Sequence, residues 1–305
     1  MSSNVNTVAL HGWTAVPADA AAILGGKPYL HKPELLLVHS IPFPSEDPVV
    51  ARVQAYAKEK LPPQTYNHSM RVYYWGMYTY LSYSLTAPST SLPSPSPPPP
   101  PQQPPSHRHM TTHTNPSNKK ATAILTQQFP THAEALSPST LALTCLLHDI
   151  GTTHDNLRAT QLSFEFYGGI LALDLLLPKN THTNHHHYHN DSDSDSVATK
   201  SQAEAVCEAI IRHQDLGTTG TVTFLTQLIQ LATIYDNVGG NPEIVHADTR
   251  VDVNRAFPRK GWSGCFASTI REELHLKPWA HTTHLGDFED GILRNDLMAE
   301  FDSWE

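Results

Sequence analysis

Apolar and polar positions recur every three to four residues along most of the chain, a period that predicts helices rather than strands. Between 48 and 83 the pattern predicts two helices, PVVARVQAYAKEKL and TYNHSMRVYYWGMYTYLSYSL, parted at Pro62-Pro63. A helical pattern resumes at 121–129. Ser137-Pro138 then reads as a helix start, with a hydroxyl cap followed by a proline at the first helical position. That helix should run through LALTCLLHDIG and stop at Gly151. Residues 157–177 predict a helix pair broken near Gly168-Gly169, and further helices are expected at 202–214, 222–236, 263–275 and 287–301. Residues 1–50 read as an irregular arm packed on the core, and 51–305 as a single domain. The fold class expected is all-α, a compact multi-helix array.

Two segments interrupt this pattern. Residues 84–120 hold eleven of the chain's 25 prolines, all between Pro88 and Pro116. Residues 179–200, KNTHTNHHHYHNDSDSDSVATK, carry a run of histidines from His182 to His189 beside Asp191, Asp193 and Asp195. Neither buries enough apolar surface to offset the entropy of ordering it, so both are expected to be disordered insertions between helices. The proline run could serve as bait for an SH3-type partner, which would make the chain an interaction protein, and a tolerated insertion is the simpler reading. The histidine run could pick up metal incidentally.

Net charge is -9, from 20 basic and 29 acidic residues, which argues against nucleic-acid or anionic-membrane binding. No apolar run approaches the ~18 residues a membrane span requires. Cys145, Cys207 and Cys265 are far apart and form no C-x-x-C, so a disulfide framework and a cysteine zinc site are unexpected. The first residues lack the basic and apolar regions of a secretory signal. A soluble, cytoplasmic protein is the expectation.

Candidate chemistry comes from ionisable residues that continue apolar helix faces. His68 opens a face with Val72 and Trp75, and His148 continues Leu141 and Cys145. Asp149 continues Ala142 and Leu146, His213 continues Val206 and Ile210, and Asp236 continues Leu225, Ile229 and Ala232. A buried carboxylate is costly unless paired or holding a metal. Any one of these histidines reads most simply as a hydrogen-bonded core residue. Taken together, His68, His148, Asp149 and Asp236 could hold one divalent ion, and an N/O donor set suits zinc, iron, manganese, cobalt or nickel alike.

The order H…HD…D on separate helices is similar to the HD-domain superfamily of metal-dependent enzymes. Longer strings are more specific: GWTAVP (12–17), TYNHSMRVYYWG (65–76), LSPSTLALTCLLHDIGT (136–152), SFEFYGG (163–169), QAEAVCEAIIRHQDLG (202–217), TFLTQLIQLATIYDNVG (223–239), FPRKGWSGCFA (257–267) and KPWAHTTH (277–284) resemble the cyanamide hydratase family. The resemblance implies an HD-type helical fold, a homo-oligomer and one zinc per chain, iron or another transition ion being an alternative. It also implies hydration of cyanamide to urea, by attack of metal-activated hydroxide on the nitrile carbon. His213 is then a candidate proton donor, an orienting group, or a ligand to a second metal. Asn67, Thr152, Thr153 and Asn237 flank the ligands and could bind the substrate amino group or orient water, or equally serve as caps.

Many HD phosphohydrolases carry a basic residue shortly after the HD pair. Here His148-Asp149-Ile150-Gly151 is followed by Thr152 and Thr153. Arg71, Arg158 and Arg212, on the helices around the candidate ligands, read as surface helix charges. A phosphohydrolase acting on a nucleotide or phosphoester is therefore the weaker alternative. Trp262, Phe266 and Trp279 could line a small pocket or simply pack. His281 and His284 could cap a pocket wall or a subunit interface.

Overall fold

The computed structural model describes residues 6–77, 127–177 and 197–304. The proline-rich segment lies outside the described residues, as do the helical expectations at 78–83 and 121–126. So does the histidine-rich segment, apart from 197–200, where Lys200 already opens a helix capped by the Thr199 hydroxyl. All-α architecture is observed, with ten principal helices among the described residues: α1 Pro48–Lys60, α2 Pro63–Gly76, α3 Pro138–Leu147, α4 His154–Ala159, α5 Phe164–Leu176, α6 Lys200–Arg212, α7 Phe224–Val238, α8 Ala247–Ala256, α9 Trp262–Leu276 and α10 Phe288–Leu293.

Local chemistry sets the helix starts. Asp47 accepts from the backbone N–H groups of Val49 and Val50 ahead of α1, and Pro48 occupies the first helical position. Ser137 caps α3 through the N–H of Thr140, with Pro138 next. Helix α7 ends at Gly239, whose φ of 67° suits glycine and closes the last turn.

Three expectations are corrected. Gly168-Gly169 does not break a helix. Helix α5 runs straight through it, and the interruption lies at 160–163 instead. The glycines serve close packing: a Cβ on Gly169 would stand 2.5 Å from Ile211 Cγ1 of α6. The helix expected over 287–301 is two, α10 and a short turn at Ala299–Asp302. Helix α8 was not anticipated at all.

A two-stranded antiparallel sheet pairs Ala15–Pro17 with Thr221–Thr223. It ties the N-terminal segment to the start of α7, where Phe224 N–H donates to Thr14 O at 2.7 Å and Leu225 N–H to Gly12 O at 3.2 Å. Val16, Leu24 and Ile41 from that segment join the main apolar core. In that core α2, α3, α6 and α7 meet, with α1 against α3 and α5 along α6. A smaller cluster of Leu157, Phe164, Trp262, Phe266, Ile270 and Ile292 forms beneath α9. No helix among the described residues is long and apolar enough to cross a membrane.

Candidate metal centre and pocket

The polar cluster sits between these two apolar cores. His68 projects from the middle of α2, and His148 is the C-cap of α3. Asp149 follows and opens a 3-10 turn, Ile150–Thr152. All three are buried. Gly151 lets this turn lie against the start of α5, where a Cβ would be 2.0 Å from Phe164 O. The turn is fixed by Thr152, whose hydroxyl donates to Asp149 O at 2.7 Å, and by Asn156 Nδ2, which donates to Ile150 O at 2.7 Å.

Tautomers follow from the partners. His148 Nδ1 lies 2.8 Å from Cys145 O, a carbonyl that can only accept, so Nδ1 carries a proton. His68 Nδ1 lies 2.7 Å from Asp236 Oδ2 and carries one for the same reason. The two Nε2 atoms face each other at 3.1 Å. Asp149 Oδ2 stands 3.5 Å from His68 Nε2 and 3.3 Å from His148 Nε2. That oxygen is buried and has no hydrogen-bond partner. Three electron-pair donors therefore converge on one point, and an unsatisfied buried carboxylate oxygen calls for a cation. A tetrahedral ion bonded at about 2.0–2.2 Å separates its ligands by about 3.3 Å, close to the spacings seen.

The electrostatics agree. Burial pushes His68 down to about 4, against the pull of Asp236 and Asp149, so it is neutral at pH 7. Burial works against charge on Asp149 too, but His148 and His68 outweigh it and hold the carboxyl at about 2. Burial likewise opposes a charge on His148, but Asp149 beside it prevails and raises its affinity for a proton. The same field favours a metal cation.

Asp236 is set apart from this trio. Its Oδ1 accepts from Arg71 Nε and Trp75 Nε1, both at 2.9 Å. Its Oδ2 accepts from Arg71 Nη2 at 2.9 Å and His68 Nδ1 at 2.7 Å, with Arg259 Nη1 at 3.2 Å. Burial would raise its pKa, yet Arg71 and Arg259 hold the carboxyl well below the usual range. Asp236 thus lies behind His68, on the ring edge opposite Nε2. Arg71, read as a surface charge, is fully buried as the partner of Asp236. Its i+3 spacing from His68 is the signal that could have revealed it. Arg158 does sit at the surface, paired with Glu272, whereas Arg212 is half-buried and paired with Asp215.

A narrow pocket of about 20 Å³ opens beside the trio. His148, Asp149, His213, Thr233, Asn237 and Phe266 are among its walls. Thr233, missed in the sequence, lies one turn before Asp236 and reaches the pocket that Asp236 does not. His213, the C-cap of α6, repeats the device of His148: its Nδ1 donates to Ile210 O at 2.6 Å, leaving Nε2 with a lone pair. Burial, with His148 alongside, pushes it down to about 4. Asn237 Oδ1 accepts from Trp262 Nε1 at 2.8 Å, so its Nδ2 remains for another partner. Trp262 stacks on His68 with ring centroids 4.3 Å apart.

The other sequence candidates are engaged elsewhere. Asn67 Nδ2 donates to Pro258 O at 2.8 Å, and Thr153 caps α4 through Asn156 N–H. Trp279 is 60% exposed, with Nε1 on Gln161 O.

Fold and site together define a helical protein with a buried His-His-Asp centre able to hold a metal, opening on a small pocket. No protein-family model matches the chain. Two Saccharomyces cerevisiae proteins, cyanamide hydratase DDI2 and cyanamide hydratase DDI3, are each 46% identical to it over 165 residues, covering 54% of this chain and 65% of theirs. The chain thus spans just under two thirds of the length of the relatives it matches.

Proposed function

We propose that the protein is a metal-dependent cyanamide hydratase of HD type, converting cyanamide to urea. The observation that carries this reading is the convergence of His68 Nε2, His148 Nε2 and the unpartnered Asp149 Oδ2, with His148 and Asp149 also lining the pocket. Zinc is our first choice of ion and iron the next. When bound, such an ion supplies Lewis acidity and lowers the pKa of water from 15.7 toward ~7. Asp236 fixes the His68 ring, and through its two arginines keeps the Nδ1 proton in place. We therefore give Asp236 an orienting role rather than a fourth ligand position.

His213 Nε2 is the base. Neutral at pH 7, it takes a proton from the attacking water as the C–O bond forms at the nitrile carbon. The C≡N triple bond becomes a double bond, and the same proton passes from Nε2 to the nitrile nitrogen. The isourea so formed becomes urea by moving a proton from oxygen to nitrogen. In this reading Asn237, which lines the pocket, donates to the substrate through Nδ2. Thr152 and Thr153 hold the turn that carries His148 and Asp149, and Asn67 braces α2 against Pro258.

The pocket favours a small neutral substrate over a phosphoester. No arginine or lysine is among its described walls, whereas phosphoryl transfer calls for one. Urea release from cyanamide and phosphate release from nucleotides, measured side by side, test the choice. Urea without phosphate supports the reading, and phosphate without urea refutes it.

A further inference from the structure

One wall of the pocket is not part of the metal-binding scaffold. Leu285 and Phe288 face it from the segment after α9. Residues His281–Leu285 form a 3-10 turn that ends at Gly286, with φ of 60°. A turn this short has little stability of its own. Side chains hold it instead.

His281 is the main fastening. Its N–H donates to Ser163 Oγ at 2.8 Å, and its Nδ1 lies 2.7 Å from Glu165 Oε1. Its Nε2 lies 3.5 Å from Asp215 Oδ1, two residues past His213. His284 stacks on it at 4.2 Å and Phe166 at 5.3 Å. The neighbouring Thr282 donates to Glu273 Oε2 at 2.8 Å, and Lys277 Nζ donates to Leu162 O at 2.7 Å. Glu165 is fully buried, and its Oε2 has no partner. A buried carboxyl group so placed relies on the imidazole beside it as a hydrogen-bond partner. Burial, with Glu273 nearby, pushes the Glu165 carboxyl up to about 8.

We propose that His281, gripped between Glu165 and Asp215, is a positioning residue: it fixes the 281–288 wall over the pocket and so sets the size of nitrile that the site admits. Leu285 and Phe288 lie within a few residues of the clamp, so releasing it lets that wall move outward. His68 stands on α2, and His148 and Asp149 stand at the end of α3, so the trio is left in place. The size-selection half rests on the hydratase reading, whereas the clamp itself does not.

The test compares the metal-loaded wild type with His281→Ala and His281→Gln, the glutamine retaining an N–H for Glu165. Loss of the buried His281–Glu165 hydrogen bond is expected to speed amide hydrogen exchange across 277–288 by about 10-fold in His281→Ala, with the trio's segments unchanged. For activity, KM for cyanamide should rise several-fold with kcat within about twofold. Dimethylcyanamide should gain relative to cyanamide, metal content should stay at the wild-type level, and His281→Gln should recover most of the KM. Unchanged exchange across 277–288 overturns the clamp. Fast exchange with unchanged nitrile preference in an active enzyme overturns the size-selection role. Should wild type make no urea, the hydratase reading falls while the exchange result still decides the clamp.

Discussion

The Asp236 carboxylate offers the sharpest test of how the centre is held. In Asp236→Asn the negative charge is lost, and one of the two accepting oxygens becomes an NH2 donor facing the donors that now converge on it. Arg259 keeps a second carboxylate, because its Nε donates to Asp302 Oδ1 at 2.8 Å. Arg71 has only the carbonyls of Phe257 and Pro258 left, at 3.1 and 3.5 Å. A fully buried guanidinium stripped of its counter-charge costs about 3–5 kcal/mol. In a chain of this size that corresponds to a fall in Tm of about 6–10 °C. Arg71→Met should cost less, because Asp236 keeps His68 Nδ1, Trp75 Nε1 and Arg259 as partners. Urea denaturation of the metal-free proteins measures both variants without any contribution from the ion. In addition, Asp236→Asn frees His68 to choose the wrong tautomer, which should weaken metal affinity by about 10–100-fold. A metal-free Asp236→Asn protein within about 1 kcal/mol of wild type would refute this picture of the pair.

Further expectations follow from the same geometry. Gly151→Ala forces a Cβ onto Phe164 O, a backbone atom that cannot step aside, so the variant should be markedly less stable by thermal denaturation and lose activity. Gly239→Ala, at positive φ and with a Cβ 2.6 Å from Asn295 Oδ1, should cost about 1 kcal/mol or more in a denaturant titration. In the metal-free protein His68 and His213 both titrate near 4, below the 6.5 of an unfolded imidazole. The unfolded chain then binds protons that the native one refuses. These two residues therefore withdraw stability as pH falls from about 6.5 toward 4. His148, raised by Asp149, acts in the opposite sense. Denaturant midpoints at pH 7, 6 and 5 should show His213→Gln losing less stability over that range than wild type; an equal or larger loss contradicts the assignment.

Much of the fold was legible because its helices advertise their starts. Ser137-Pro138 marks one by composition, and Ser137 caps that helix in the structure. Glycine was the misleading signal. Gly168 and Gly169 read as a breaker but serve as a smooth face for α6 and the 3-10 turn at Ile150–Thr152, a tertiary fact that no local pattern carries. The site was legible in part. His68, His148 and Asp149 were found because ionisable residues interrupt apolar stripes. Asp236 was found to be buried, but its direction was not readable. All but two of the 15 residues of α7 are buried, so no single stripe distinguishes the pocket side, where Thr233 lies, from the Arg71 side. Arg71 itself was misread because its partner is 165 positions away in the chain.

Metal titration into the stripped protein, with the rate of urea formation from cyanamide followed at each addition, bears most directly on the central claim. Residues 182–189 should be deleted first, so that the histidine run takes up no surplus ion. The account expects activity to rise linearly and level off at about one equivalent per chain, with His68→Ala and Asp149→Ala flat throughout. Full urea formation by the metal-free protein, or by either alanine variant, would contradict it.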